Sequence, residues 1–243
     1  MHDRYSGGNG VLDALPPGEA SRTARVTSVV KLGIGDVLQA PGKRGRFVLF
    51  PIDAVLSVVA TLQNGDTCEI GTIGSEGVWG ADVAFGAWPL RTTVCQVPGR
   101  AGRMATNDFL TAVAQNPSFD VVVRATDAAR VFFVEQLVIC NTVHPVEERC
   151  ARWLLNVADR VRRPTFSLTH DFLAIMLGVR RASVSEAAAE LQRSGAITYH
   201  RGIVTILDRT LLESRSCECY GETKRVFADA LIQPPPQRAA EQA

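Results

Sequence analysis

The stretch that most constrains this chain runs from Ser167 to Leu207, SLTHDFLAIMLGVRRASVSEAAAELQRSGAITYHRGIVTIL. Two short helical patterns meet at Gly178-Val179, and two strand patterns flank Arg201-Gly202. Thr169 is suited to accept from the free N–H groups that open a helix, and Asp171 puts a negative charge in the first turn. Leu173, Met176 and Leu177 recur at helical spacing. Gly178 tolerates the left-handed backbone that a sharp turn needs. Ala174, four residues earlier, is small enough for a second helix to cross closely. Val179, Val184, Ala187, Ala188 and Leu191 give that second helix an apolar face. Arg180, Arg181, Ala182, Ser183, Ser185 and Glu186 occupy the other, and Gly195 ends it. Small residue, glycine turn and buried valine at these spacings read as a winged helix-turn-helix, whose second helix lies in a DNA major groove. An ordinary helical hairpin is the alternative.

The chain has 243 residues, enough for two small domains or one large one. No run approaches the ~18 apolar residues of a membrane helix, and MHDRYSGGNG lacks an apolar secretory segment. The expected compartment is the cytoplasm, with no membrane partner. There, the six cysteines at 68, 95, 140, 150, 217 and 219 are expected as free thiols. The net charge is only +1, low for a nucleic-acid reader. Its distribution is uneven, however: Arg149, Arg152, Arg160, Arg162, Arg163, Arg180, Arg181, Arg193 and Arg201 crowd the C-terminal half, and local charge sets the field at a binding face.

The expected fold class is α+β, in the order N-terminal β-barrel or jelly roll, long helix, winged helix-turn-helix. Residues 1–20 read as a flexible N-terminal segment, although Val11–Arg25 could hold a short helix interrupted by Pro16-Pro17. Over 21–117, β-branched runs such as Phe47–Phe50 and Val55–Val59 alternate with turn signals, and Asn64-Gly65 marks a hairpin into Thr67–Ile70. Residues 118–144 form one long helix. Phe119, Val122, Thr126, Ala129, Phe133, Gln136, Cys140 and Val143 recur at three- and four-residue steps, a seam that fits pairing with a second copy. Val131, Val134, Leu137 and Val138 would then pack on the barrel. Residues 145–232 hold a helix over Val146–Val161 and the winged module. Residues 233–243, with three consecutive prolines, read as a loose tail.

That order resembles the Crp/Fnr family of bacterial transcription regulators over roughly residues 10–228. The most specific parts are Glu148-Arg149-Cys150-Ala151-Arg152-Trp153-Leu154-Leu155 and LTHDFLAIMLGVRRASVSEAAAELQRSGAI. The barrel stretch VLFPIDAVLSVVATLQNGDTCEIGTIGSEGVWG, Cys140-Asn141…His144 and Cys217-Glu218-Cys219-Tyr220 look like one branch of it. The resemblance implies a homodimer with a cyclic-nucleotide-binding-like sensor barrel. It implies a palindromic site on double-stranded DNA and contact with RNA polymerase in an activator. Arg180, Arg181, Ser183, Ser185 and Glu186 would face bases. Arg181 is the best guanine reader, because a guanidinium pairs with O6 and N7. Family members often carry Arg-Glu at this turn, and Ala182 stands where the glutamate would be. Glu186 either accepts from a cytosine or pairs with Arg181 or Arg193. Thr169, His170 and Arg201 are phosphate candidates.

Cyclic-nucleotide members of the family carry a Gly-Glu pair for the ribose and an Arg-Ser or Arg-Thr for the phosphate. Here Gly80, Asp82, Arg91 and Thr92 are the corresponding effector-site candidates. The phosphate half survives at Arg91-Thr92, but Ala81 replaces the ribose carboxylate, and Asp82 would point elsewhere if it lay on a strand beside Gly80. No cofactor is expected. The sequence does not name the effector, an iron–sulfur centre lacks its N-terminal cysteine cluster, and haem has no motif. An alternative is redox or metal sensing by Cys140, Cys150, Cys217 and Cys219; another is an interaction protein that has lost DNA binding. Catalysis is not expected: no histidine falls in the barrel, and the Cys140–His144 pair has no orienting third group.

Overall fold

The computed structural model describes residues 4–232. The expected tail over 233–243 lies outside the described residues. From residue 4 onward the N-terminal segment is built into the fold, which corrects the expectation of a flexible arm. Asn9 caps α1 (Gly10–Asp13) by accepting from the Val11 and Leu12 amides at 3.1 and 3.3 Å. Its own amide donates to the Pro51 and Gly77 carbonyls at 2.9 and 3.0 Å. Val11 and Leu12 are buried in the barrel core, so polar composition hid an anchored turn. α2 (Pro17–Arg25) follows.

The barrel is a jelly roll of two antiparallel sheets. β1 (Thr27–Leu32), β2 (Val37–Gln39), β3 (Phe47–Pro51), β4 (Val55–Thr61), β5 (Thr67–Ile73), short helix α3 (Ala81–Ala84), β6 (Thr92–Val97) and β7 (Gly99–Ala105) make it up. One sheet has the order β1-β7-β3, the other β2-β6-β4-β5. Gly65, at φ +88°, turns the expected β4–β5 hairpin. α4 (Thr106–Gln115) and α5 (Pro117–Val143) close the barrel, with Phe50, Phe109 and Phe119 ring centroids 5.7–6.4 Å apart.

α6 (Val146–Val161) opens the C-terminal unit, followed by β8 (Thr165–Ser167), α7 (His170–Leu177), α8 (Arg181–Arg193), β9 (Ile197–His200), β10 (Ile203–Ile206), α9 (Arg209–Ser214) and α10 (Cys219–Ile232). The wing sheet has the order β8-β10-β9, one strand more than the sequence suggests. One apolar core joins barrel and winged unit: Val55, Val59 and Val97 cluster with Trp153, Leu154, Leu173 and Met176.

The seam expected to meet a second copy is turned inside the chain from Phe119 to Cys140, with Gln136 half-buried, and only its last residue, Val143, is exposed. Phe119 and Val122 belong to the barrel core. Ala129 and Phe133 pack on Phe227 and Ala230 of α10, with the two phenyl centroids 6.3 Å apart. Cys140 lies against Cys217 and Cys219. Of the face expected on the barrel, Val131 and Val138 are 49% and 64% exposed, with Ile139 and Val143 beside them at 52% and 68%. Periodicity identified two apolar faces on α5 but not which one α10 covers.

Candidate nucleic-acid interface

The turn between α7 and α8 is held as its residues require. Thr169 Oγ1 accepts from the Phe172 amide at 3.2 Å. Gly178 caps α7 at φ +62°, and Val179 N–H returns to the Ala174 carbonyl at 3.0 Å. Arg149, buried on α6, donates to the last carbonyl of α7, at Leu177. This fixes the α7 end by satisfying an acceptor with no intrahelical partner. Val184, Ala187, Ala188 and Leu191 bury the inner face of α8.

The outer face carries Arg180, Arg181, Ala182 and Glu186 in solvent, with Ser183 half-buried. Arg181 makes an exposed ion pair with Asp171, 3.1 Å apart, and Arg193 pairs with Glu190. Glu186 therefore has neither of its anticipated ion-pair partners. Ser185 turns inward: its Oγ is 2.9 Å from His170 Nδ1 and donates to the Arg181 carbonyl at 3.1 Å. His170 stands edge-on to Tyr199 with centroids 4.5 Å apart. Desolvation, then Arg181, lowers its pKa, which favours the neutral ring. His170 and Ser185 form a strut between α7 and α8, leaving Arg180, Arg181, Ser183 and Glu186 as the outward set. At the wing tip, Arg201 (φ +48°) and Gly202 (φ +77°) form a two-residue hairpin with both central residues left-handed. Arg201 is exposed.

Three of the nine arginines expected to supply a basic field are buried: Arg149, Arg152 and Arg160. They serve the core, so the field at the outer face rests on the others.

In the barrel, Gly80, Asp82 and Arg91 line one pocket of about 240 Å³, together with Asp127 and Arg130 of α5. Thr93 lines it rather than Thr92. Gly80 is left-handed at φ +84° and begins α3, so Ala81 and Asp82 are helical. The strand-alternation reading of Asp82 is thus corrected: Asp82 lines the pocket, 3.9 Å from Arg130. A larger cleft of about 540 Å³, with no motif to announce it, is lined by Leu32, Leu38, Leu49, Trp79 and Arg103.

Of the four candidate sensor cysteines, Cys140, Cys217 and Cys219 meet, joined by His144, whereas Cys150 is buried in the core of the winged unit.

Residues 148–215 match the family model of the Crp-like helix-turn-helix domain. This chain carries a Crp-like helix-turn-helix domain on the Crp/Fnr fold. A CRP-family transcriptional regulator from Thermus thermophilus superposes with a TM-score of 0.60 at 20% identity, over 77% of this chain and 96% of that one. FixK2 from Bradyrhizobium japonicum gives 0.67 at 14% identity, over 79% and 98%. A c-di-GMP-responsive global regulator, CLP of Xanthomonas campestris, gives 0.62 at 14%, over 79% and 99%. No curated protein sequence matches the chain. The Crp/Fnr fold accounts for the order of jelly roll, long helix and winged unit, and the Crp-like domain contains α7, α8 and the wing. Among the described residues no helix is long and apolar enough to cross a membrane.

Proposed function

We propose that the protein is a homodimeric transcription regulator that reads a two-fold-repeated DNA site through α8 and takes its signal in the barrel. The observation that carries this reading is the outward face of α8. Arg180 and Arg181 stand in solvent at its N-terminal end, and Arg201 is exposed at the tip of the wing, on a Crp-like domain. Arg181 reads a guanine, Arg180, Ser183 and Glu186 flank it, and Thr169 and Arg201 lie towards the phosphates. The second copy seats on the exposed stripe of Val131, Val138, Ile139 and Val143. In an activator, RNA polymerase is the further partner.

The barrel does not favour a cyclic nucleotide. Ala81 offers no carboxylate to a ribose, and Asp82 is engaged by Arg130. Titration with cyclic AMP and cyclic GMP is expected to give no sub-millimolar binding.

Selection from randomised DNA followed by mobility shifts over a range of salt tests the reading. The expected result is a repeated half-site spaced about one helical turn, with affinity falling steeply as salt rises. A single unrepeated site, or binding indifferent to salt, overturns it.

A further inference from the structure

Where α5 ends and α10 begins, the fold gathers Cys140, His144, Cys217 and Cys219. Cys140 and His144 are four apart and share a helix face. Cys217 and Cys219 come from the turn into α10, 77 residues after Cys140 in the case of Cys217. We propose that these four residues hold one zinc-class divalent cation per chain, coordinated by three sulfurs and His144 Nδ1, which clamps the end of α5 to the start of α10.

The dimensions fit. All four ligand atoms lie within 4.8 Å of one another. Cys140 Sγ is 3.5 Å from Cys217 Sγ, and Cys219 Sγ is 3.6 Å from His144 Nδ1. A tetrahedron with metal–sulfur bonds of ~2.3 Å and a metal–nitrogen bond of ~2.0 Å has edges of about 3.5–3.8 Å. The same sulfur separation is far beyond the ~2.05 Å of a disulfide. A cage this tight encloses a single ion, with no space for the several irons and sulfides of a cluster. Thiolates with imidazole are a donor set that suits zinc.

The surroundings complete the site. Glu218 Oε2 is 3.2 Å from His144 Nε2, which leaves Nδ1 to face the sulfurs. A carboxylate behind a ligating histidine fixes ring and tautomer in this way. Gln136 Nε2 donates to Cys219 Sγ at 3.1 Å. Three thiolates and a dication leave one negative charge. Arg149 and Arg152, buried and each with an unpartnered Nε, lie close enough for their charges to act on Cys140. With four protein ligands there is no open position, so the site is structural rather than catalytic. Its location gives it a consequence: His144 is the last residue before Pro145, where α5 passes into α6, and the ion fastens that bend to α10.

The test uses the full chain, reduced and stripped of metal, titrated with cobalt(II) and then with zinc. One equivalent of cobalt should give the visible absorption of a tetrahedral thiolate site, and zinc should bleach it. Cys217→Ser and His144→Ala should abolish that signal, and Cys68→Ser should keep it. Glu218→Gln should still bind, with affinity lowered about 10–100-fold; this variant leaves all four ligands in place, so it reports on the site even if the ligand variants fold poorly. Absence of saturable binding by the folded wild-type chain overturns the proposal. So do an unchanged signal in Cys217→Ser, iron with inorganic sulfide in the isolated protein, and a Cys140–Cys217 disulfide in protein kept free of oxygen.

Discussion

The Arg160 guanidinium of α6 lies 2.7 Å from Glu76 of the barrel, with both side chains largely buried. Thr72 also accepts from it, and the Phe133 ring of α5 lies 5.6 Å away. One charged group thus touches the barrel, the long helix and the winged unit. Removing one partner of a buried pair leaves an uncompensated charge. Glu76→Ala should cost about 3–5 kcal/mol of stability by urea unfolding. Gly74→Ala should resemble it, because a Cβ at Gly74 would overlap the Arg160 side chain. A loss under ~1 kcal/mol for Glu76→Ala would reduce the pair to a surface-like contact.

Glu69 sits at the same junction. It accepts from Ser57 Oγ at 2.7 Å, and Ser57 Oγ in turn approaches Met176 Sδ of α7 at 3.6 Å. Burial pushes its pKa up from 4.5 to about 7, against the opposing pull of the Ser57 hydrogen bond, Arg160 and Arg152. Between those values the folded chain holds a proton that the unfolded chain has released. Stability therefore falls as pH rises through this window, and the cost is complete above about 7, on the order of 3 kcal/mol. Glu69→Gln should flatten the slope. Urea midpoints at about pH 5 and about pH 8 decide it: an equal drop in the variant assigns the slope to other groups.

In the proposed reading, Arg181 would leave Asp171 for a base. Arg181→Ala should cost about 1–3 kcal/mol at the preferred site and relax one base position. Asp171→Asn should free the guanidinium and strengthen binding, most at low salt, where exposed charges are least screened. A weaker Asp171→Asn complex would mean that the ion pair positions Arg181 for its base.

At the wing, Arg201 occupies a left-handed backbone position that asparagine or glycine takes more easily. Arg201→Asn should therefore keep or raise stability, by up to ~1 kcal/mol. It should also weaken DNA binding across all sequences and lower the salt slope by about 1. If affinity is unchanged, the wing tip does not meet a phosphate.

Val138, at 64% exposure, tests the proposed seat of a second copy. Val138→Glu should shift the chain to monomers in analytical ultracentrifugation while leaving its circular dichroism intact. A dimer of unchanged affinity would place the interface elsewhere.

What the sequence determined by itself is local stereochemistry. The Thr169 cap, the Gly178 turn, the Asn64-Gly65 hairpin and the Val146–Val161 helix each depend on residues a few positions apart, and each forms where its residues direct. The tertiary structure decided everything that needs a distant partner. The α5 periodicity marks apolar faces, but only the position of α10 settles that Ala129 and Phe133 are inside and Val138 outside. Arg149, Arg152 and Arg160 read as a basic surface until their burial is seen, because a guanidinium serves a core or a phosphate equally well. A buried cysteine looks the same in sequence whether it packs or binds. Cys140, His144, Cys217 and Cys219 are a cluster only because the chain returns 77 residues later to the end of the same helix.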